Sequence, residues 1–166
     1  KKGEYNLYLK NSQDIEKVLF FFKYNINSQF KLLMDICGID NMQKYENRFE
    51  IDYNLLSVKY WTRMHIKVHV NEFIPVNSVI KIFKSANWYE REIWDMFGIF
   101  FKNHSDLRRI LTDYGFEGFP LRKDFPQTGY VELRYNNDYK HLIYEPVELT
   151  QDFRSFDFLS PWNQIK

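Results

Sequence analysis

One cysteine, Cys37, is all that this chain of 166 residues possesses. An intrachain disulfide is therefore excluded, and so is an iron–sulfur cluster held by this chain's own thiolates. No apolar run approaches the roughly 18 to 20 residues that span a bilayer, and the longest, Val18 to Phe22, reads as one face of a helix. Membrane association must then run through partners. A surplus of charge is missing too, since 23 basic residues face 22 acidic ones for a formal net charge of +1, which argues against a polyanion partner. The sequence has no phosphate-binding glycine loop, no metal-ligand constellation and no nucleophile beside a base. Ala86 is the only alanine, against 16 Phe and 12 Tyr, the balance expected of an A/T-rich genome such as a mitochondrion's or a reduced bacterium's. The chain opens Lys1-Lys2-Gly3 without methionine, consistent with a missing start, and shows no secretory or transit pattern.

With 45% hydrophobic residues, the chain suits one domain with a substantial core. Ser12 is placed to cap a helix from about Gln13 to Tyr24, in which Ile15, Val18, Leu19 and Phe22 recur at helical spacing. Phe30 to Ile36 is densely apolar and reads as a strand buried on both faces. Phe49, Ile51, Tyr53 and Leu55 alternate with polar residues, as do Met64, Ile66, Val68 and Val70, so both runs predict half-buried strands. A second helix is expected from about Asn77 to Lys84. Together these predict an α+β fold: a two-layer domain with a largely antiparallel or mixed sheet covered by helices, then an extended irregular C-terminal arm. His65 and His69 are separated by roughly 13 Å along a strand, too far to share a metal ion, and pairing with Glu50 and Asp52 across strands is the better reading.

The densest charge lies in NWYEREIWDMFGIFFKNHSDLRRIL, Asn87 to Leu111. Asn87 with Glu90 has capping-box spacing, so a helix is expected to start at Trp88, and Gly98 supplies a left-handed stop. Asp95 sits near the wrong end of the helix dipole and needs compensation, for which Arg91 and either Arg108 or Arg109 are the candidate cations. Solvated surface charge is the plain alternative. Glu92 and Asp95 share a helix face and give a formal acid–base pair, which leaves a small hydrolase as the enzyme-class alternative.

From Thr112 on, Gly115, Gly118, Pro120, Pro126, Gly129, Pro146 and Pro161 forbid long elements. Val131 to Tyr135, a turn at Asn136 to Asp138 and a return over Lys140 to Glu145 predict one hairpin. The domain division expected is 1–111 for the α+β part and 112–166 for the extended segment. Its aromatics, Phe116, Phe119, Phe125, Phe153, Phe156, Phe158 and Trp162, are wrong for disorder and imply either packing onto the core or a partner surface. Arg108, Arg109, Arg122 and Lys123 among aromatics superficially suit single-stranded nucleic acid, but Asp106, Asp113, Glu117 and Asp124 interleave with them and remove the electrostatic funnel.

The pattern Glu90-Arg91-Glu92, two residues, Asp95-Met96-Phe97, six residues, His104, three residues, Arg108, one residue, Ile110-Leu111 resembles the signature of the 30 kDa subunit family of respiratory complex I. The resemblance continues through LTDYGFEGFPLRKDFP, GYVELRY and EPVELTQDFRSFDFLSPW, roughly Phe30 to Trp162. It implies a non-redox core subunit of the peripheral arm of proton-pumping NADH:ubiquinone oxidoreductase, in the quinone-reducing module. The implied partners are the large 49 kDa-type subunit and cluster-bearing subunits. FMN, iron–sulfur clusters and ubiquinone would belong to the whole complex, with none bound by this chain. The implied location is the matrix side of the mitochondrial inner membrane, or the cytoplasmic membrane face in a bacterium. Glu90, Arg91, Glu92, Asp95, His104, Arg108 and Arg109 are expected to form a structural network, and Arg122, Lys123, Asp124, Phe153, Arg154, Phe156 and Trp162 a partner interface. The nearest alternative is the homologous subunit of a membrane-bound hydrogenase or related quinone oxidoreductase.

Overall fold

The structure, a computed structural model, describes residues 4–42, 47–152 and 154. Two compact units divide it, 1–125 and 126–166. Residues 112–125 therefore pack with the first unit, beyond the boundary at 111 read from the sequence.

In the first unit, β2 (Leu32–Asp40), β3 (Phe49–Ser57) and β4 (Thr62–Val70) form the expected antiparallel meander. Its register runs Phe49↔Val70 to Ser57↔Thr62 between β3 and β4. Side-chain alternation puts Ile51, Tyr53, Leu55, Ile66 and Val68 on one face, where all are fully buried. A strand the sequence reading did not contain, β1 (Glu4–Leu9), lies parallel to β4 with Glu4↔Arg63 through Leu9↔Val68, so the sheet is mixed, in order β1-β4-β3-β2. Strand β2 is a correction to the expectation of two buried faces. It lies at the sheet edge with a register shift between Leu33 and Asp35, burying Leu33 and Ile36 while Leu32, Met34 and Ile39 stay exposed. Among the described residues of the first unit, a second layer covers the face of the sheet that carries these buried side chains.

That layer begins with α1 (Ile15–Tyr24), whose Ile15 and Leu19 are buried four residues apart. The preceding turn, Ser12–Asp14, is a 3-10 turn, and its cap is Asn11, which accepts from the Gln13 N–H; Ser12 is itself buried. The helix expected over 77–84 does not form. Val76–Asn77 is β5, drawn into parallel pairing with β6 (Phe101–Lys102), and only isolated turns follow, with the Ile82 and Phe83 N–H groups both donating to the Val79 carbonyl. Val79, Ile82 and Phe83 still reach the core, because turns present them inward as a helix would.

The second helix, α2 (Ala86–Phe97), starts two residues before the expected Trp88. Asn87 is inside it, not its cap, because Glu90 is turned away from the helix N-terminus to other donors. The stop is as expected: Gly98 has φ 76° and donates to the Trp94 carbonyl. A Cβ there would meet the Phe119 ring at 2.6 Å and the Arg122 guanidinium at 2.7 Å. Gly98→Ala should therefore destabilise the domain by about 1 to 3 kcal/mol through left-handed strain and overpacking. Equilibrium denaturation checks it, and an unchanged midpoint would show that Phe119 swings aside freely.

The second unit contains the hairpin β7 (Val131–Asn136) and β8 (His141–Pro146), in register from Val131↔Pro146 to Asn136↔His141. The Asn136 side chain accepts from the Asp138 and Tyr139 N–H groups and so closes the turn. Leu133, Tyr135, Leu142 and Tyr144 are all about half exposed or more.

Candidate functional site

Helix α2 works as a clamp on the loop that follows it. Asp95 is fully buried, and its carboxylate accepts from the Ile110, Leu111 and Thr112 N–H groups at 3.2, 2.7 and 3.0 Å and from the Thr112 hydroxyl at 2.6 Å. Burial raises the cost of its charge, but these four donors outweigh burial and hold its carboxyl below the usual range. Arg91, one turn earlier, donates to the Arg108 carbonyl at 3.1 Å and the Arg109 carbonyl at 3.4 Å. The acid thus takes the N–H groups of the loop and the base takes its carbonyls. This corrects the expectation that Arg91 compensates Asp95. Of the two other candidates, Arg109 stands 3.7 Å from the carboxylate, while Arg108 points outward to Asp106 at 2.9 Å.

Glu90 performs the same task on the other side of the helix. Buried completely, it accepts from the Ser78 hydroxyl at 2.6 Å and the Val79 N–H at 2.7 Å. Burial pushes its pKa up to about 7 even though both donors favour the charged form. The buried His104 ring lies 3.9 Å away. Its Nδ1 accepts from the Asp106 N–H at 3.0 Å, so Nε2 carries the proton and donates to the Asn87 carbonyl at 3.2 Å. Glu92 is exposed and Asp95 is saturated by four donors, so the two do not form an acid–base pair. Among the described residues no group of three or more His, Cys, Asp or Glu could hold a metal ion.

A family model described as the respiratory-chain NADH dehydrogenase 30 Kd subunit matches residues 9–131. The chain belongs to this family. A relative from Reclinomonas americana, NADH-ubiquinone oxidoreductase subunit 9, is 54% identical over 99% of this chain and 80% of its own length. A bacterial relative from Paramagnetospirillum magneticum, a subunit of NADH-quinone oxidoreductase, is 56% identical over 96% of this chain and 79% of its own. A plant relative from Patellifolia webbiana, named NADH dehydrogenase (ubiquinone) iron-sulfur protein 3, is 51% identical over 96% of this chain and 82% of its own. Among solved structures, a chain of the membrane-bound sulfane sulfur reductase, an archaeal respiratory membrane complex, matches with TM-score 0.59 and 26% identity over 74% of this chain and 71% of that one.

The iron–sulfur wording is part of the plant protein's name. In this member of the 30 kDa family the one thiol, Cys37, lies on the exposed side of β2 and donates to Asp35 at 2.8 Å, and partial desolvation together with that carboxylate pushes its pKa up to about 12.

A second clamp was not visible in the sequence. Arg48 donates twice to Asp40, at 2.9 and 2.8 Å, and reaches Asp124 at 3.0 Å, while the Lys123 N–H donates to Asp40 at 2.9 Å. The Arg48 guanidinium holds the Asp40 carboxyl below its usual range. Arg122 donates to the Phe97 carbonyl at 2.6 Å and to Glu72, with its guanidinium 4.5 Å from the Phe119 ring centre and that of Arg109 5.0 Å away. Phe119 in turn meets Trp94 edge-on at 5.8 Å. Within 112–125, then, Phe116, Phe119 and Phe125 fold back on the first unit, while Tyr114 stays exposed. Of the expected interface residues, Arg122 and Asp124 make these internal bonds, and the Lys123 and Arg154 side chains are exposed. Phe153, Phe156 and Trp162 lie outside the described residues. The strand histidines follow their expected pairing: His65 contacts Asp52 at 3.0 Å, and His69 lies 3.8 Å from Glu50.

Proposed function

We propose that this chain is a non-redox core subunit of the peripheral arm of the proton-pumping NADH:ubiquinone oxidoreductase. Its place is in the quinone-reducing module, where it scaffolds the large 49 kDa-type subunit and the cluster-bearing subunits. One observation supports a scaffold over a reaction site: Glu90, Arg91, Asp95 and His104 spend their polar atoms on this chain's own backbone and side chains. Such an arrangement fixes loops and exposes no group for proton transfer. FMN, iron–sulfur clusters and ubiquinone belong in this reading to other subunits. The chain would sit on the matrix side of the mitochondrial inner membrane, or on the cytoplasmic face of a bacterial one. Among the described residues no helix is long and apolar enough to cross a membrane; in this reading attachment runs through partners.

The partner surface in this proposal is the segment from 112 onward, above all an arm over 147–162 bounded by Pro146 and Pro161. Phe153, Arg154, Phe156 and Trp162 would engage the neighbour, and so would Arg122, Lys123 and Asp124. An isolated two-stranded hairpin is marginal in water, and β7–β8 carries half-exposed Leu133, Tyr135, Leu142 and Tyr144, so a covering surface is physically expected. Tagging the chain and solubilising the native membrane tests the reading. Co-purification of a flavin subunit and several cluster-binding subunits is expected, and a nickel hydrogenase subunit in their place would overturn it. Ending the chain after Pro146 should leave thermal unfolding nearly unchanged and abolish or weaken incorporation. A truncated chain unable to fold would place the arm in the core.

A further inference from the structure

We propose that the surface between α1 and the turn at 80–85 is a docking groove for an acidic segment of a neighbouring subunit, one that carries carboxylates around an aliphatic or aromatic anchor. A recess of about 470 Å³ is lined by Lys23, Lys31, Lys81 and Lys84 over Leu33 and Phe83, and no acidic side chain borders it. It shares Lys81 and Ile82 with a second recess of about 420 Å³ that adds Lys17, Phe20 and Tyr24, with Glu16 as its one carboxylate. The two recesses adjoin at Lys81 and Ile82. Charge on the chain as a whole is balanced, 23 basic residues to 22 acidic, so four lysines without an opposing acid are a local excess. Lys31, Lys81 and Lys84 are exposed and make no ion pair among the described residues.

Lys23 is held differently. Its ammonium donates to the Ile82 carbonyl and sits 4.7 Å from the Phe83 ring centre and 5.5 Å from that of Tyr24. This fixes one cation in place before any partner arrives, which lowers the ordering cost of binding. The groove also has an apolar component on both levels. Its floor is the buried Leu33, Ile82 and Phe83, and its rim is Phe20, Tyr24 and Leu32, exposed by 57%, 60% and 45%. A recess with an apolar floor takes an inserted side chain, whereas a lipid surface calls for protruding lysines and aromatics. Charge complementarity then sets orientation and register, and the anchor supplies burial.

The proposal rests on this chain being a subunit of the complex, and its test separates the two. Carbodiimide joins an amine to a carboxylate only where the two already touch. Applied to the purified complex, it should give amide links from Lys31, Lys81 or Lys84 to an Asp or Glu of another subunit. Acetic anhydride should label these lysines about tenfold or more slowly in the complex than in the isolated chain, as desolvated interface groups. The triple variant Lys31→Gln, Lys81→Gln, Lys84→Gln should unfold like the parent, give fewer links and release that neighbour more readily at raised salt. Equal labelling in an intact complex overturns the groove and leaves the subunit reading standing, and so do links confined to this chain's own carboxylates. Protection that vanishes on delipidation, with no intersubunit link, overturns it in favour of an anionic lipid surface. A tagged chain that brings down no complex removes both.

Discussion

Asp95→Ala should cost the domain on the order of 3 to 5 kcal/mol, a large part of the stability a single domain has to lose. The substitution removes a buried acceptor and leaves the N–H groups of Ile110, Leu111 and Thr112 and the Thr112 hydroxyl without partners at the place where the loop meets α2. Arg109→Ala should cost far less. Its guanidinium is 3.7 Å away and partly solvated, so it contributes a fraction of what the four donors do. Because the folded-state pKa of Asp95 is depressed, its stabilisation is complete above the ordinary carboxylate range and is lost as pH falls through the folded value. Urea denaturation at neutral pH, with incorporation into the complex as a second readout, checks the claim. If Asp95→Ala unfolds and assembles like the parent, the clamp does not hold the loop.

How far such a site can be read from sequence depends on the range of the interactions. The alternation of Phe49, Ile51, Tyr53 and Leu55 reports a local geometry, two residues per repeat, and the strand came out where that period placed it. Asp95 was legible as a charge in need of compensation, because its position relative to the helix dipole is also local. What compensates it was legible only in part: Arg109, one of the expected cations, does stand 3.7 Å from the carboxylate. The nearest cation in sequence, Arg91, projects onto the same loop but takes carbonyls, and three of the four donors that reach Asp95 are backbone N–H groups 15 to 17 residues on, which have no residue-type signature, the fourth being the Thr112 hydroxyl. The Glu90 spacing from Asn87 fitted a capping box, yet Ser78 and Val79 compete for the same carboxylate from a turn that folds against α2.

Longer-range features were harder still. Strand β1 pairs with a partner about sixty residues away and shows little of the alternating burial that marks the meander, since Glu4, Tyr5 and Asn6 are all exposed. Over 77–84, Val79, Ile82 and Phe83 have the three- and four-residue spacing of a helix, but two successive turns bury the same positions, and the extended pairing with β6 decides between them. The Asp40–Arg48–Asp124 cluster joins residues up to 84 apart in the chain and follows no period at all. The signature residues were found together by resemblance, and their division of labour between N–H groups and carbonyls became visible only with the loop in place.

The stability of the domain should fall as pH rises between about 4.5 and 7, and Glu90→Gln should abolish that part of the dependence. Glu90 has a folded-state pKa of about 7 against an ordinary 4.5, because its carboxyl is fully buried. A raised folded-state value means the folded chain binds the proton more tightly than the unfolded chain does. The resulting stabilisation is complete below the unfolded value and is lost as pH climbs through the folded one. A shift of this size corresponds to about 3 kcal/mol as an order of magnitude. Gln is close in shape to the protonated acid, retains one acceptor for the Val79 N–H, and can exchange hydrogen bonds with the Ser78 hydroxyl, which serves as donor or acceptor. The variant should therefore match the parent near pH 5 and exceed it by up to about 3 kcal/mol near pH 8. Every other titrating group is present in both proteins, so the difference between the two curves isolates this carboxyl. Denaturation midpoints measured across that range decide the matter, and parallel curves would mean that Glu90 is already ionised when buried, its charge fully met by Ser78, Val79 and the His104 ring beside it.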